Sequence, residues 1–548
     1  MNYRFINLFI ASIYKYLKEK IKQIYFSTSL YNKTLSVVPP TRSYDMNNIP
    51  LLQEIIDQDE KIINLIKEFS KNIWKLDNIG NNNINKLSAF SWLPLFDIKK
   101  DKALIKNLIL EWLKKYENYN SNAWALNLIS KRIIFWICCS HFTVRSEDLV
   151  FRNRVINSII KQSFHLNKNI NLLSKPIDRV FALVSLVLTS ITFEGYQKLF
   201  QVSLKNLNTE AKSMIDKNGF VLSKDPEEQF WLLHHLFIVK EFLIFSQNTS
   251  PEFIDNLIVS VGNNLLGLYY SNNEIPLFNG SKKLNIENFN KLLKLKNYNF
   301  EKKNITHSYL YTKIKKFELM MDANNPPPDF KSQNYQSGCL SFEFLYNGEK
   351  IITNCGSAKN FSDNLSIISQ STAAHSTITI NDTSSCLSQQ NKLIKKYFGN
   401  SLKRKLKVYK KDIMKSKHFA TVSAGHNGYN SNYNCLYERK ITINDLEHKL
   451  LGEELIIITK KSNKNINYAL RFHVIPETKL LQTQGGDILL SLHNQGWKFQ
   501  TNKSNLKIEK NLYFANYDKI IESQCIVIEG KLNESLNKIE WSLEKTNK

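Results

Sequence analysis

The sequence lacks the cysteine framework of a small secreted protein. Its 7 cysteines are an odd number at irregular spacings, and no two of them stand in a C-x2-C arrangement. The odd number argues against a set of paired disulfides, and the missing C-x2-C argues against a zinc ribbon. A reducing compartment is the simplest interpretation of such cysteines, and the periplasm stays open.

Several catalytic and binding motifs are also absent. The sequence holds no phosphate-binding glycine loop, no G-x-S-x-G motif and no signature of a nucleic-acid-binding fold. We therefore expect no nucleic-acid partner, and we predict no cofactor.

Acidic residues are scarce relative to basic ones. The chain of 548 residues carries 74 Lys and Arg against 49 Asp and Glu, which gives a formal net charge of +25. Such a charge favours anionic partners, although a chain-wide enrichment in Lys, Asn and Ile explains it equally well. Hydrophobic residues make up 43% and aromatic residues 12%, so the sequence predicts a globular protein with room for two or three domains.

No long apolar run is present at the N-terminus. The segment MNYRFINLFIASIYKYLKEKIKQIYF is interrupted by charges from Lys15 onward, so it is too charged to span a bilayer and matches a secretory signal poorly. We predict a basic amphipathic segment over residues 1–49. Two interpretations stay open, a helix on an anionic membrane surface and a helix packed against its own domain. The location of the protein therefore stays open between cytoplasmic, membrane-associated and periplasmic.

The hydrophobic period changes once along the chain. Over residues 50–304 apolar residues recur three and four apart, as in ALIKNLILEWLKKY, which predicts an (α/α) toroid of helical hairpins. Over residues 305–548 the period is two, as in STITIND and YERKITIND, which predicts an antiparallel β-sandwich. The expected fold class is thus a multidomain α+β protein.

A set of motifs in this order resembles the heparinase II/III-like family of polysaccharide lyases, and within it an uncharacterised bacterial branch. The motifs are MMDANNPPPDF (320–330), SGCLSFEF (337–344), IITNCGS (351–357), STAAHSTITINDTSS (371–385), GHNGY (425–429) and ALRFHV (469–474), with NAWALNLISKRIIFW (122–136), NGFVLSKDP (218–226) and PLFNG (276–280) in the helical half. The resemblance covers about residues 50–545. It implies a protein that acts on an acidic, uronate-containing polysaccharide or oligosaccharide by β-elimination.

The resemblance also shows which catalytic positions have changed. Lyases of the family often carry an H-x-H element, a second zinc ligand and a catalytic Tyr. Here Asn334 and Gln336 stand at the two histidine positions of the H-x-H element, Asn354 stands at the position of the second zinc ligand, and Glu228 is nearest to the position of the catalytic Tyr. Val221 replaces a further His. Neutral amides bind zinc weakly, so we predict no tightly bound zinc at the family's usual position.

The remaining groups able to move a proton are His375, His426 and Tyr429. His375 begins a strand among small residues, and the resemblance places it at the base of a cleft. His426 and Tyr429 are brought together by the glycines of GHNGY and could form an acid/base pair. A structural interpretation also stays open for each. His375 could simply organise the start of its strand, and GHNGY could be a turn in which Tyr429 packs against the protein.

Five further residues are predicted to bind substrate. Arg439 and Arg471 lie on strands, and a guanidinium can hold a carboxylate or sulfate through two hydrogen bonds. The amides of Asn279, Asn334 and Gln336 are expected to face the sugar.

Two other functions stay open beside the lyase. One is a carbohydrate-binding protein that has the same fold without catalysis. The other is a glycoside hydrolase, which needs two carboxylates beside the scissile bond; Asp225, Glu227 and Glu228 form the acidic cluster that could supply them.

Overall fold

The computed structural model describes most of the chain. The described ranges are 3–36, 40, 42–56, 58–69, 73–75, 80–302, 308–387, 391–399, 406–460, 465–517 and 519–546.

The first part of the chain is helical. Among the described residues, twelve α-helices precede the first strand: α1 Tyr3–Phe26, α2 Ser29–Thr34, α3 Glu60–Phe69, α4 Asn81–Ala89, α5 Lys102–Tyr116, α6 Leu126–Cys138, α7 Leu149–Asn169, α8 Pro176–Thr192, α9 Gln197–Met214, α10 Pro226–Phe245, α11 Glu252–Leu268 and α12 Glu287–Leu295.

Local sequence explains where these helices begin and how they pack. Asp148 caps α7, because its side chain accepts a hydrogen bond from the backbone N–H of Phe151. Pro176 opens α8, where its missing N–H costs nothing. Helix α8 is apolar on nearly all sides, and it packs between α6 and α9 in the interior.

The second part of the chain is built from strands. They are β1 Tyr309–Ile314, β2 Phe317–Asp322, β3 Phe342–Tyr346, β4 Glu349–Thr353, β5 Ile378–Ile380, β6 Val408–Lys415, β7 Phe419–His426, β8 Cys435–Asn444, β9 Lys449–Ile458, β10 Asn467–Val474, β11 Lys479–Gln482, β12 Ile488–Leu492, β13 Gln495–Thr501, β14 Leu506–Tyr513, β15 Ile521–Lys531 and β16 Leu536–Thr546. In the part of this region that the structure describes, three short α-helices lie among them: α13 Asp363–Ser369, α14 Lys392–Phe398 and α15 Asn430–Tyr433.

The strands form two antiparallel sheets. The first has the order β1-β2-β3-β4-β10-β15-β14, with β5 paired to β10, and the second has the order β11-β12-β13-β16-β9-β8-β7-β6. Aromatic rings from both sheets meet in one core: Phe342 of β3 stacks on Trp541 of β16 at 5.8 Å, and Phe472 of β10 lies 4.9 Å from Phe499 of β13, measured between ring centroids. The two sheets therefore pack face to face as a sandwich.

The predicted fold class, a helical first part followed by an antiparallel β-sandwich, is confirmed. Closure of the helices into a toroid stays a prediction. Contacts between residues divide the chain into two compact units, of which the second comprises 220–230, 262–284 and 300–548. Two short segments from the helical part of the sequence thus belong to the β-sandwich unit. The boundaries at 49/50 and 304/305 stay our proposal for the sequence domains, and the second of them lies outside the described residues.

Candidate functional site

His426 and Tyr429 lie close together in the interior of the sandwich unit. Their ring centroids are 5.7 Å apart, and each residue is only 1% exposed. The Nδ1 atom of His426 accepts a hydrogen bond from the backbone N–H of Gly428 at 3.1 Å, and the hydroxyl of Tyr429 donates to the Ile378 carbonyl at 2.7 Å. Burial lowers the pKa of His426 to about 3 and raises the pKa of Tyr429. The predicted acid/base pair is therefore a packed interior pair.

His375 is also buried, and it packs against other residues. It follows a turn at Thr372–Ala374, and its ring fills the space beside Gly338, where an added Cβ would lie 2.8 Å from the imidazole Cγ. Burial lowers its pKa to about 4. Within the described residues, neither ring nitrogen makes a hydrogen bond of normal geometry. The surroundings of His375 thus keep the ring neutral and covered.

Arg439 is an internal ion-pair partner. Its guanidinium Nε lies 2.9 Å from the carboxylate of Glu454, and its Nη1 donates to the carbonyls of Leu340 and Ser376 at 2.6 Å each. Both side chains of the ion pair are 0% exposed. The structure does not support Arg439 as a substrate-binding residue, because the side chain is fully buried and its Nε and Nη1 atoms are already bonded within the core.

Arg471 differs from Arg439 in being partly exposed. Its side chain is 15% exposed and lies 3.9 Å from Glu509, and its Nη1 donates to the hydroxyl of Thr379 at 2.9 Å. Its role in holding an anion stays a prediction.

The predicted amides crosslink loops. Gln336 accepts a hydrogen bond from the backbone N–H of Gly280 at 3.0 Å and donates to the carbonyls of Gly356 at 3.0 Å and Ser369 at 2.9 Å. Asn279 donates to Asp322 at 2.9 Å. Both amides are buried, so the structure does not support a direct contact with sugar.

The residues at the family's usual zinc position do not fit the metal. The Oε1 of Gln336 is already bonded to Gly280, and the Oδ1 of Asn354 accepts a hydrogen bond from Ser376 at 3.0 Å. Of the three residues at this position, Gln336, Asn354 and His375, only the histidine is a residue type that binds zinc strongly. Among the described residues, no group of three or more His, Cys, Asp or Glu could hold a metal ion. The absence of tightly bound zinc stays a prediction.

A buried thiol and imidazole lie side by side near His375, but they do not form an activated nucleophile. The Nδ1 of His473 lies 3.5 Å from Sγ of Cys355 and accepts a hydrogen bond from Asn511 at 2.8 Å. Its Nε2 donates to the carbonyl of Ala373 at 3.0 Å. Burial raises the pKa of Cys355 to about 12, so the thiol stays protonated.

A different set of polar side chains reaches solvent in the sandwich unit. Tyr517 is 41% exposed, and its hydroxyl donates to Oε1 of Glu227 at 2.6 Å. The other oxygen of that carboxylate, Oε2, lies 2.8 Å from Nζ of Lys359, which also donates to the carbonyl of Gly280 at 3.1 Å. A short hydrogen bond to an ion-paired carboxylate holds the exposed phenol in place.

Two more charged residues complete this group, which we call the Tyr517 cluster: Asp225, Glu227, Lys282, Lys359 and Tyr517. Asp225 precedes α10, and its Oδ1 accepts a hydrogen bond from the backbone N–H of Glu227 at 2.9 Å. Lys282 lies 5.1 Å from the centroid of the Tyr517 ring, and its Nζ donates to the carbonyl of Asn516 at 3.2 Å.

Burial and charge act in opposite directions on the acids and the lysine of the Tyr517 cluster. Burial raises the pKa of Asp225 to about 7, although Lys359 pulls it down. Burial lowers the pKa of Lys359, but Glu227 and Asp225 outweigh that effect and leave the pKa raised. The lysine is therefore charged at neutral pH, while Asp225 exchanges its proton near neutrality. Such perturbed groups are typical of functional sites.

Asn334, one of the predicted substrate-binding residues, contacts the Tyr517 cluster directly. Its side-chain amide donates to Oδ2 of Asp225 at 3.1 Å. Gly280 makes this contact possible, since an added Cβ there would lie 2.5 Å from the Cβ of Asn334. The glycine has φ of +108°, a conformation that side chains disfavour.

Sequence reasoning identified the acids of this cluster as a candidate pair for hydrolysis but missed Tyr517, Lys282 and Lys359. Tyr517 lies in a loop after β14 with no motif around it, and 290 positions separate it from Glu227. No local spacing in the sequence signals that contact.

The comparisons with known proteins agree with this architecture. Residues 305–542 match the family profile described as Heparinase II/III-like, C-terminal. Among curated proteins, no sequence matches this chain.

Solved structures share the fold at low sequence identity. A crystal structure of heparinase III has a TM-score of 0.66 and 13% identity over 86% of this chain and 79% of its own. The heparan sulfate lyase HepC from Pedobacter heparinus has a TM-score of 0.58 and 11% identity over 94% of this chain and 87% of its own. Similarity at identities this low establishes a shared fold, whereas the activity must be argued from the residues of the site. The resemblance carried by the sequence motifs is confirmed for residues 305–542, which match the C-terminal domain of heparinase II/III-like proteins, and the rest of the chain shares the fold of the solved heparinase III structures.

Proposed function

We propose that this protein acts on a uronate-containing polysaccharide by β-elimination, at a divergent site centred on Tyr517 and Glu227. The observation that carries the proposal is the short hydrogen bond from the exposed Tyr517 hydroxyl to the Glu227 carboxylate. The lyase-like fold and the names of the similar solved structures support the acidic polysaccharide as substrate class.

The reaction requires one proton to leave the sugar and one to reach the departing oxygen. In our proposal, the proton of the Tyr517 hydroxyl moves to Glu227, and the phenol oxygen takes the proton from the carbon next to the uronate carboxylate. The electron pair of that C–H bond forms the new double bond as the glycosidic bond breaks. Tyr517 then gives its proton to the leaving oxygen, and Glu227 returns the first proton to Tyr517.

The two lysines supply the electrostatic part of this chemistry. Lys359 keeps Glu227 ion-paired and oriented toward the phenol. Lys282, beside the ring of Tyr517, stabilises negative charge as it develops on the phenol oxygen. Fixed charges of this kind lower the barrier because they need no rearrangement during the reaction.

This assignment replaces the predicted catalytic set of His375, His426 and Tyr429. All three are buried, and His426 and Tyr429 use their polar atoms within the fold. The same burial favours a second candidate function, a carbohydrate-binding protein without catalysis, because the predicted proton-transfer groups of the cleft are not accessible.

The test is incubation of the full chain with uronate polymers such as heparan sulfate, alginate and polygalacturonate. A rise in ultraviolet absorbance from the unsaturated uronate would support β-elimination. New reducing ends without that absorbance would instead show hydrolysis. Retardation of the polymer in affinity electrophoresis without cleavage would show the binding protein, and either of these two results would refute the lyase proposal. An absence of both cleavage and binding across a broad panel of uronate polymers would refute both candidate functions.

A further inference from the structure

The N-terminal helix α1 exposes a continuous apolar face. Its residues Tyr3, Ile10, Tyr14, Leu17, Ile21 and Ile24 are between 53% and 79% exposed. Their spacing of seven, four, three, four and three places them within about a quarter of the helix circumference. Isolated exposed apolar residues are common, but a row of them along a 24-residue helix indicates a binding surface.

A different face of α1 is attached to the protein. Ser12 is 0% exposed and Phe26 is 5% exposed. The ring of Phe26 lies 4.7 Å from the ring of Tyr31 and 5.0 Å from that of His165, measured between centroids. The helix is thus held through one side, and its apolar face is left open to solvent.

Basic residues lie along α1 beside the apolar face. Lys15, Lys18 and Lys22 are three and four apart, so they share one strip of the helix. Glu19 is the one acidic residue in the Tyr3–Phe26 sequence. The helix therefore combines an apolar face with a positive strip.

We propose that α1 lies on the surface of an anionic lipid bilayer, with its apolar face inserted at the interface and its lysines near the lipid headgroups. The positive strip complements anionic headgroups, and tyrosines suit the interface because one end of the side chain is polar. Exposed Phe9 and Tyr16 widen the apolar face to about half the circumference, which exceeds the narrow seam of a coiled coil and argues against a second copy as the occupant. Among the described residues, no helix is long and apolar enough to cross the membrane.

The test is cosedimentation of the full chain with two kinds of vesicle. One is pure phosphatidylcholine, and the other contains about a third phosphatidylglycerol. We expect binding to the anionic vesicles that weakens as salt is added, because salt screens the attraction of the lysines.

Two variants separate the apolar and the charged contributions. Leu17→Asn with Ile21→Asn should reduce binding at least tenfold, while Leu149→Asn with Val150→Asn, at equally exposed apolar positions elsewhere, should not change it. Lys18→Gln with Lys22→Gln should reduce binding to anionic vesicles by about fivefold per lysine. Lys99→Gln with Lys100→Gln, at exposed lysines away from α1, is the matched control.

Three results would overturn the proposal. The first is no cosedimentation with the anionic vesicles at low salt. The second is equal loss of binding in the α1 variants and their controls. The third is a dimer in analytical ultracentrifugation that Leu17→Asn with Ile21→Asn converts to monomer, since the apolar face would then bind a second copy.

Discussion

The hydroxyl of Tyr517 donates a hydrogen bond of 2.6 Å to the carboxylate of Glu227, a residue 290 positions earlier in the chain. The contact joins the start of α10 to the loop after β14 within one compact unit. Because Lys359 holds the other oxygen of the same carboxylate, the phenol has a fixed direction while its ring stays exposed.

Removal of the Tyr517 hydroxyl is expected to abolish turnover and leave binding largely intact. In Tyr517→Phe the ring remains available for contact with a sugar, but the group that exchanges protons is gone. General acid–base catalysis contributes about 10²–10⁴-fold to a rate, so we expect a loss of at least about 10²-fold in formation of the unsaturated uronate. Affinity electrophoresis should show retardation of the polymer within about twofold of the unchanged protein.

Tyr44→Phe is the control for that experiment. Tyr44 is 54% exposed and belongs to the helical unit, so loss of its hydroxyl should leave turnover unchanged. Full activity in Tyr517→Phe would show that Tyr517 has no role in proton transfer.

Asp225 is expected to make the protein less stable as the pH rises from about 4 to about 7. Its pKa is 3.8 in the reference state and about 7 in the folded protein, so the folded state binds the proton more tightly. The contribution of Asp225 to the free energy of unfolding is therefore complete below the pKa of the unfolded state. It is lost as the pH rises through the pKa of the folded state, with a slope of at most about 1.4 kcal/mol per pH unit. Asp225→Asn, which resembles the protonated acid and can still cap α10, should flatten this dependence.

Urea unfolding between pH 4 and pH 8 measures the effect. Glu534→Gln, at an exposed position, should keep the pH dependence of the unchanged chain. A pH dependence in Asp225→Asn as steep as in the unchanged chain would mean that Asp225 is not the titrating group.

Arg439 is expected to contribute to stability through its buried partner. Arg439→Met leaves the carboxylate of Glu454 buried without a counter-charge, which should lower the free energy of unfolding by about 3–5 kcal/mol. The double variant Arg439→Met with Glu454→Leu removes both charges and should recover at least half of that loss. Urea unfolding of the two variants distinguishes this role from polysaccharide binding. If Arg439 served only to bind substrate, removal of Glu454 as well would not restore the free energy of unfolding.

The alternation of polar and apolar residues predicts the strands, but it does not by itself show which face of the sheet is buried. The period of two in β7 and β8 is clear in the sequence, and both strands form where it predicts. The same alternation puts His426 on the face of Ala424, and Arg439 on the face of Ile441, so it already pointed both side chains toward an apolar interior. His426 and Arg439 were predicted to face a ligand because their side chains are polar, but both side chains are buried.

The contacts of the Tyr517 cluster are of another kind. Three loops and a helix start meet there, and the side chains come from segments far apart in the sequence. Periodicity identifies elements, whereas the position of a loop residue depends on tertiary packing. The acids at 225–228 were therefore visible in the sequence and their tyrosine and lysine partners were not.

Gln336 is expected to stabilise the fold as a crosslink between two loops and the end of α13. It satisfies the buried N–H of Gly280 and the carbonyls of Gly356 and Ser369. Each buried polar group left without a partner costs about 1–3 kcal/mol, so Gln336→Ala should lower the free energy of unfolding by at least about 3 kcal/mol. Gln201→Ala, on an exposed position of α9, should change it by less than about 0.5 kcal/mol. Urea unfolding checks both values, and a loss in Gln336→Ala as small as in Gln201→Ala would show that the amide does not hold the loops together.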